Sequence, residues 1–383
     1  MSRRAIFWVS VNGNDVTSGL SPYVTSIRIR DAAGLASDTA TIDVEDSYGQ
    51  LQLPEPGAAI SIGLGWDGGA ALVMFEGVVD DIGSTGGRGQ GRMLSISAKS
   101  ADTRGPLKEK QEKHKDETSF GAVATEWGQA AGLAEVVVHP DLAAIGRPWW
   151  GMQGESYLAW GTRHARELGA TFKVMGPRAV FVPRSQGQSA NGKPLQAIRA
   201  ARGENLISWS LKPVLGRPAY GKFRINWFDD KQAKWKSEDV EAVDATVPAI
   251  ATDRIAAATQ AEAQQRAGSR RTEAEREGGG GTVTIDGEPA AQAEAECEVS
   301  GARPGIDGTY RIDVVEHSYS RSGGFTTTLT LKQPAGEAGN DTRSSQAATA
   351  TKTTAATPKV QATRPAPITT KQNPYNGGWF GRI

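Results

Sequence analysis

Short runs of alternating apolar and polar residues fill the first hundred positions of the chain. They cover residues 39–45, 59–64, 72–82 and 93–98, and Gly, Pro and Asp turns separate them. A period of two residues is the pattern of a β-strand with one buried face, and such strands must close on one another as a small barrel or sandwich. We predict a first β-barrel over residues 1–104.

The following segment changes to helical spacing and predicts a small α/β domain over residues 105–184. Its charged opening, residues 105–117, is interpreted as a solvated linker. Thr118 can then cap a helix, because apolar residues recur from Phe120 at intervals of three and four.

A second helix and a hairpin complete the predicted α/β domain. The helix would cover residues 155–168, with His164 on its apolar face and Gly169 as its stop. The apolar runs 170–175 and 179–182 that follow are separated by a Gly-Pro turn and predict two paired strands.

Strand-like runs return after a polar, loop-like stretch at residues 185–194. An Ala-rich segment interrupts them, and Thr252 can cap it as a long helix over residues 253–277. We predict a second β-barrel with one long helix over residues 185–334. Its strand-like runs are 206–211, 220–228, 282–286, 295–300, 308–316 and 325–331.

The last segment, residues 335–383, is rich in Thr, Ala and Pro and cannot bury a core. We predict an extended low-complexity tail there, with six basic residues against two acidic ones and therefore four net positive charges. Its end carries Tyr375, Trp379 and Phe380, which we interpret as aromatic anchors for binding another protein.

Charge and cysteine content exclude several classes of function. The chain has 43 basic and 43 acidic residues, so its net charge is zero. We therefore expect neither the positive electrostatic field of a general nucleic-acid-binding protein nor a specific nucleic-acid partner. A single cysteine, Cys297, and four histidines allow neither an internal disulfide nor a Cys-rich zinc site. No run of about 18 apolar residues occurs, so we expect a soluble protein, made in the cytoplasm, without a signal peptide or a membrane span.

Motifs for catalysis are missing from the sequence. It has no nucleophile elbow, no phosphate loop and no possible metal ligands at the sequence spacing of a metal site. His164 is interpreted as a packed histidine, and the adjacent Asp80 and Asp81 would point to opposite faces of a strand. The mixed basic, acidic and aromatic residues 222–236 indicate a solvated hairpin. We predict no catalytic, cofactor-binding or metal-binding residue, while a glycosidase pair of carboxylates far apart in sequence stays open.

Four stretches of the chain, taken in order, form a recognisable set of motifs. The first comprises SDTATIDVED (37–46), LPEPGAAISIGLGW (53–66) and FEGVVDDI (75–82). The others are Gln153 with ESYLAWGTRHARELGATFKVMGPRAVFV (155–182), the Ala-rich helix with GTVTIDGEP (281–289), and GTYRIDVVEHSYSRSGGFTTTLTL (308–331). By these motifs the chain resembles the late control protein D family of contractile-tailed phages, the baseplate hub proteins, which are related in fold to the hub portion of VgrG spikes of type VI secretion. The resemblance spans nearly all of residues 1–333 and leaves the tail beyond Pro334 uncovered.

This resemblance implies a structural protein whose motifs specify the fold, so no active-site residue is carried over. Residues at the matching positions would set a helix start, a helix stop, turns and strand pairing. They are Glu155, Ser156, Gly169, Gly308, Tyr310, His317, Gly323 and Gly324.

The resemblance also implies two related β-barrels per chain, and three chains would then present six barrels around one axis. Such a homotrimer would adapt a sixfold tail tube, or its initiator protein, to a threefold central spike among other baseplate proteins. VgrG proteins continue into a β-helical needle and this sequence does not, so a separate spike protein is expected. The expected location is the baseplate of the virion tail, after synthesis in the host cytoplasm.

Two alternatives belong to other functional classes. A tail-tip cell-wall hydrolase would need a catalytic acid with a base or a metal. A carbohydrate-binding β protein would draw on the ten tryptophans, but Trp127, Trp160 and Trp209 lie in apolar patterns that favour a core role for them.

Overall fold

The computed structural model describes residues 3–34, 37–69, 71–89, 91–102, 105–214, 220–242, 246–341 and 343. The described chain is mainly β, with few helices. The helices are α1 (Thr17–Leu20), α2 (Phe120–Ala130), α3 (Pro140–Ala143), α4 (Tyr157–Glu167) and α5 (Gln260–Arg276), with a 3-10 turn at Pro106–Lys108. The strands are β1 (Ala5–Val11), β2 (Asn14–Asp15), β3 (Val24–Ala32), β4 (Thr39–Glu45), β5 (Ala59–Trp66), β6 (Leu72–Gly87), β7 (Gly91–Lys99), β8 (Gln111–Ser119), β9 (Glu135–Val138), β10 (Gly146–Glu155), β11 (Ala170–Met175), β12 (Arg178–Pro183), β13 (Ile198–Ala201), β14 (Leu206–Lys212), β15 (Lys222–Asp229), β16 (Lys234–Glu241), β17 (Ile250–Thr252), β18 (Gly280–Asp286), β19 (Glu296–Ser300), β20 (Gly308–Ser320) and β21 (Gly324–Ala335).

A first β unit is built from six of these strands, which neighbour one another in the order β3, β4, β7, β6, β5, β1. All five pairings are antiparallel. Alternate residues of every strand, such as Ile27, Ile42, Ile62 and Ile96, meet in one apolar core. Six strands that enclose a common core must curl around it, as the alternating sequence predicts for the first barrel.

A second β unit has the strand order β14, β18, β21, β20, β19, β13. Its core takes alternate residues from all six strands, among them Val283, Ile312 and Leu329. Cys297 lies inside this core, and burial raises the pKa of its thiol to about 12. The cysteine is therefore a small apolar core residue with little thiolate character at neutral pH.

The two β units share one 13-stranded sheet. On a single edge, β20 pairs first with β19 and then with β3, so it belongs to both units. The tip of the β20–β21 hairpin places Phe325 in the first core, although the residue lies in the second predicted domain. Local alternation does not show such a crossing, because it reports which face of a strand is buried and not which strand lies beside it.

The α/β unit between them has a three-stranded sheet in the order β11, β12, β9 and two helices, α2 and α4, packed on it. Phe172 and Phe181 stack in its core with their ring centroids 4.5 Å apart. Trp150 and Trp160 are fully buried beside them. The burial of Trp127 and Trp160 agrees with the core role predicted from their pattern.

The linker prediction for residues 105–117 is wrong. Residues Gln111–Ser119 form β8, which pairs antiparallel with β10. Most side chains of β8 are exposed, so its sequence shows no buried face and no alternation. The strand exists because the neighbouring backbone of β10 satisfies its hydrogen bonds, and this information lies outside the segment itself.

Capping residues set the ends of α2 and α4. The hydroxyl of Ser119, one residue after the predicted Thr118, accepts a hydrogen bond from the N–H of Ala122 at 3.4 Å and caps α2. In α4 the hydroxyl of Ser156 accepts from the N–H of Ala159 at 3.2 Å. The predicted bounds of α4 are confirmed to within two residues.

A four-element insertion lies between β14 and β18 of the second β unit. It consists of the sheet β16-β15-β17 and of helix α5, whose alanines Ala263 and Ala267 pack on Ile225 and Trp227 of β15. The hairpin of β15 and β16 confirms the interpretation of residues 222–236.

The predicted start of the long helix at residue 253 is wrong. Residues Ile250–Thr252 form a strand parallel to β15, and α5 begins only at Gln260, capped by Thr259. Arg266 holds the extended segment before the helix, because its guanidinium donates to a carboxylate oxygen of Asp253 at 2.8 Å and to the carbonyl of Ile255 at 2.9 Å. Helix propensity in this Ala-rich stretch yields to a parallel strand pairing that the sequence does not show.

The predicted tail begins later than residue 335. Strand β21 continues to Ala335, Ala338 packs against the second core, and the N–H of Gly339 donates to the carbonyl of Gly305 at 2.9 Å. Beyond Asp341 only Arg343 of the tail is described, and Tyr375, Trp379 and Phe380 lie outside the described residues. None of the described helices is long and apolar enough to span a membrane.

Candidate assembly interface

The two β units are repeats of each other. Counted in chain order, the six strands are β1, β3, β4, β5, β6 and β7 in the first unit and β13, β14, β18, β19, β20 and β21 in the second. In both units the spatial order is second, third, sixth, fifth, fourth, first. The four pairings from the second strand to the fourth are antiparallel in both, and only the pairing of the first strand differs, antiparallel in one unit and parallel in the other. The relation between the barrels, implied by the family resemblance, is therefore present in the topology.

Irregularities in the strands repeat as well. The fifth strand has a bulge at an aspartate in both units, at Asp80 in β6 and at Asp313 in β20. In both units a lysine of the sixth strand forms an ion pair with this aspartate. The lysine lies opposite the residue two positions before the bulge. The nitrogen–oxygen distances are 2.6 Å for Lys99 and Asp80 and 3.2 Å for Lys332 and Asp313. Because bulges are specific features of a fold, their agreement matches the units residue by residue.

The second strands share a bulge too. The register shifts between Val24 and Ser26 in β3, and between Leu206 and Ser208 in β14. Counting from this bulge, Trp209 is the equivalent of Ile27. The surroundings of the two positions differ, because Ile27 is 0% exposed and Trp209 is 38% exposed. The predicted core role of Trp209 is wrong, since β14 has a strand on one edge only among the described residues.

A buried ion cluster ties the second β unit to the α/β unit and to α5. The guanidinium of Arg276 lies 2.9 Å from a carboxylate oxygen of Glu294 and 2.8 Å from one of Asp313. Glu294 also accepts hydrogen bonds from the N–H of Ser185 at 2.8 Å and from the hydroxyl of Thr171 at 3.3 Å. One carboxylate thus connects four segments of the chain.

A second cluster joins the first β unit to the α/β unit. The ammonium of Lys173 contacts Asp31 and lies 3.1 Å from a carboxylate oxygen of Asp38. Burial raises the pKa of Asp38 to about 7 and lowers the pKa of Lys173 to about 8. Asp31 also accepts from the N–H of Ala293 at 3.0 Å. Asp31 and Asp38 are only seven positions apart in the sequence, and the ammonium of Lys173 pairs with both carboxylates, so the group is arranged as a structural contact.

The structure places three of the predicted fold-specifying residues around α4. Glu155 precedes the helix and forms an ion pair with Arg163, and Ser156 caps the helix. Gly169 follows it with a φ of +65°, a conformation that glycine adopts without strain. Each residue has the local geometry expected of it, and its importance for the fold stays a prediction.

The other five lie along the β20–β21 hairpin. Gly308 has a φ of +149°, with the backbone N of Ala338 2.6 Å from where a side-chain carbon would be. Tyr310 is buried and donates from its hydroxyl to the carbonyl of Ile306 at 2.6 Å. Gly323 lies in the turn and Gly324, with a φ of +73°, begins β21, while His317 lies in β20 opposite Thr327 of β21.

His317 is held as a neutral imidazole. Nδ1 of His317 lies 3.0 Å from the hydroxyl of Thr327, which also accepts a hydrogen bond from the N–H of Glu288 at 2.9 Å. Burial lowers the pKa of His317 to about 4, although a hydrogen bond to the backbone of Ala291 opposes this. An imidazole with these partners serves the packing of the hairpin.

We expect the stability of the fold to depend on His317 in acid. Its folded pKa lies below the ordinary value of 6.5, so its contribution is complete above pH 6.5 and is lost as the pH falls towards 4, by up to about 3 kcal/mol. The measurement is the difference in unfolding free energy between the wild type and His317→Gln at several pH values. Asp38 titrates with the opposite sign and cancels in this difference. A difference that does not shrink between pH 7 and pH 4 would contradict the expectation.

His164 is packed as interpreted from its position on the apolar face of the helix. Its ring contacts those of Phe120, Trp150 and Trp160, and Nδ1 lies 3.1 Å from a carboxylate oxygen of Glu167. In the described parts of the chain, no group of three or more His, Cys, Asp and Glu side chains is placed to hold a metal ion.

No protein-family model matches the sequence. A probable baseplate hub protein of Escherichia phage 186 is 29% identical over 234 residues, which are 61% of this chain and 59% of that protein. The chain is similar in sequence to phage baseplate hub proteins. Its counterpart from Escherichia phage P2 is 28% identical over 228 residues, or 60% of this chain and 57% of that protein. The match therefore spans less than two thirds of each hub relative's length.

Solved structures show the same fold. The 43 kDa tail protein of prophage MuSo2 from Shewanella oneidensis has a TM-score of 0.63 at 16% identity and covers 86% of this chain and 98% of its own. A tail protein from Neisseria meningitidis MC58 has a TM-score of 0.64 at 15% identity, with coverages of 86% and 96%. A chain of the Francisella PdpA–VgrG complex has a TM-score of 0.55 at 9% identity and covers 87% of this chain and 53% of its own. The predicted resemblance to tail hub and VgrG-like proteins is confirmed.

Proposed function

We propose that this protein is the structural hub of a contractile phage tail or a related injection device, a homotrimer that joins a sixfold tail tube to a threefold central spike. The observation that carries the proposal is the repeat of the β unit within one chain. Three chains then supply six nearly equivalent units around one axis, which is what a sixfold partner needs.

The elements outside the repeat supply the threefold part of the argument. Among the described residues, the α/β unit and the insertion with α5 occur once, whereas the β unit occurs twice. A trimer would therefore have near-sixfold symmetry where the β units meet and threefold symmetry where the single elements lie. A chain of this kind can contact a tube with one surface and a spike with another.

The partners follow from the same proposal: the tube or its initiator protein, a spike protein and other baseplate proteins, in the baseplate of the virion. The protein acts as a structural component without catalysis. The hub relatives support this assignment, because they are baseplate proteins by name.

The copy number at the tail axis tests the proposal. Electron microscopy of the purified particle should show three copies of the chain, with six β units in one ring between tube and spike. Six copies in the ring, or one, would contradict it. Hydrolysis of peptidoglycan by the purified chain, measured against a boiled sample, would contradict the structural role and favour the hydrolase.

We further propose that the C-terminal tail binds the spike or a neighbouring hub subunit through Tyr375, Trp379 and Phe380. The sequence supports this, because prolines reduce the entropy lost on ordering and aromatic residues are the usual anchors of small interfaces.

Deletion of residues 373–383, or alanine at both Trp379 and Phe380, should reduce the amount of spike that copurifies with the hub. Each buried anchor contributes about 2 kcal/mol, so the double variant should weaken binding by several hundredfold or more. Alanine at Thr369 and Thr370, in the same tail, is the matched control. Normal spike retention and normal numbers of complete tails in both anchor variants would contradict the anchor role.

A further inference from the structure

The chain already contains one junction between a first and a second β unit. Strand β3, the second strand of one unit, pairs antiparallel with β20, the fifth strand of the other. The register places Ile27 opposite Tyr319 and Arg28 opposite Ser318. On this edge of β20, the fourth strand β19 pairs with the residues that precede the junction. Strand β3 then pairs with the part of the same edge that β19 leaves open.

The repeat contains both partners of this junction a second time, and among the described residues these two strands are not paired with each other. The second strand of the second unit is β14, and among the described strands only β18 pairs with it, apart from an isolated bridge between Leu206 and Arg202. The fifth strand of the first unit is β6, and β5 covers its edge only as far as Val78. On that edge, no described strand pairs with residues 81–87, and most of them are exposed.

Burial at equivalent positions shows what the unpaired edge lacks. Ala32, at the end of β3, is 3% exposed, whereas its equivalent Val214 is 69% exposed. Trp209 and Ile207 are exposed apolar residues on the same short strand. An edge strand with exposed apolar side chains is a site for pairing with another chain.

We propose that β14 of one copy pairs antiparallel with residues 81–87 of β6 of a second copy, in the register of the β3–β20 junction. This inference rests on the proposed trimer and specifies how its subunits join. Counting from the shared bulges, Gly86 is the equivalent of Tyr319 and Thr85 of Ser318. The register is therefore Trp209 opposite Gly86, Ser210 opposite Thr85, Leu211 opposite Ser84 and Lys212 opposite Gly83.

The side chains in this register are complementary. Gly86, opposite Trp209, has no side chain, so the indole finds space over the neighbouring strand. Lys212 would lie diagonally across from Asp81 on the same face, an attractive pair. Pro213 has no N–H and would end the ladder, as prolines do at edge strands.

The geometry also explains why the occupant is a second copy of this chain. Among the described residues, each copy has one second strand and one fifth strand with an open edge, so the contact is head to tail and joins every copy to two others. Three such contacts close a ring and leave no edge unpaired at these strands. An unrelated partner would have to reproduce the shape of a strand that the chain itself contains.

A disulfide placed across the proposed pair tests the register. In the β3–β20 junction the N–H of Ala33 donates to the carbonyl of Asp313 at 2.8 Å, so these two residues form a hydrogen-bonded pair. Hydrogen-bonded and non-hydrogen-bonded pairs alternate along an antiparallel ladder, and Arg28 and Ser318, five positions further along, are therefore a non-hydrogen-bonded pair. Such pairs have the closest side-chain carbons, at roughly 4.5–5.5 Å, which suits a disulfide. We expect Thr85→Cys with Ser210→Cys, assembled into particles and oxidised, to run as a covalent trimer on a non-reducing gel. The native Cys297 is buried and does not compete.

The matched control is Thr85→Cys with Ser208→Cys, on the same face but two residues out of register. It should remain monomeric on the gel, because the diagonal separation of roughly 7–8 Å exceeds the reach of a disulfide. Cross-linking in the control alone would overturn the register, and cross-linking in neither variant would overturn the pairing.

Wild-type particles give a second readout if the cysteine variants do not assemble. Hydrogen exchange of the backbone amides should slow on assembly at residues 208–212 and 82–87. Unchanged exchange at both segments in particles that contain three copies would overturn the pairing and leave the trimeric hub standing. A copy number other than three would contradict the proposed function itself, so the two failures are distinguishable.

Discussion

Replacement of Arg276 by Met should lower the free energy of unfolding by about 3–5 kcal/mol. Arg276 lies between the carboxylates of Glu294 and Asp313 at 2.9 and 2.8 Å, and both Arg276 and Glu294 are buried. Without the guanidinium, two carboxylates would face each other with reduced access to water. The measurement is chemical denaturation of the isolated chain at neutral pH.

Two further variants show whether the effect belongs to the buried cluster. Glu294→Gln keeps the shape and most hydrogen bonds and should cost less, about 1–3 kcal/mol. Arg199→Met removes an ion pair whose side chains are 62% and 59% exposed and should change stability by less than about 1 kcal/mol. Equal effects of Arg276→Met and Arg199→Met would show that the cluster does not stabilise the fold.

Replacement of Gly308 by Ala should destabilise the hairpin of β20 and β21 by about 3 kcal/mol, because two costs combine. The φ of +149° at this position is accessible almost only to glycine, and a side-chain carbon would lie 2.6 Å from the backbone N and 2.8 Å from the side chain of Ala338. The segment after β21 would have to move away. Thermal or chemical unfolding of the isolated chain measures the change.

Other glycines of the chain provide graded controls. Gly324 has a φ of +73° with open space around it, so Gly324→Ala should cost only the backbone term of roughly 1–2 kcal/mol. Gly83 has neither a positive φ nor a neighbour within 4 Å, and Gly83→Ala should have little effect. A loss for Gly308→Ala no larger than that for Gly83→Ala would contradict the role predicted for Gly308.

The repeat of the β unit explains why the chain can have two symmetries at once. Strand order, two bulge positions and one Lys–Asp pair in each unit agree between the units, while the α/β unit and the α5 insertion occur once among the described residues. The sequence conceals this relation, since the aligned fifth strands read GVVDDI and YRIDVV and share little beyond one aspartate. Only the register of the strands shows that Asp80 and Asp313 occupy the same place.

Local patterns in the sequence determined the elements that depend on neighbours along the chain. Strand β4 follows from alternation over Thr39–Glu45, and helix α4 follows from its apolar face with Ser156 before it and Gly169 after it. Periodicity and capping act within a few residues, so they are readable without the fold. The resemblance to baseplate hub proteins was readable for the same reason, since it rests on short motifs in a fixed order.

The tertiary structure alone decided features that depend on residues far apart in the chain. Strand β8 forms from a charged segment because β10 lies beside it, and Thr252 joins a strand because β15 lies beside it. The same reason exposes Trp209, since burial of a strand residue requires a neighbouring strand as well as an apolar side chain. Glu294 likewise becomes a junction of four segments only when the units pack. The sequence determines which side chains of each segment are apolar and can be buried. The packing of distant segments determines which of these apolar surfaces are covered within one chain and which are left for a partner.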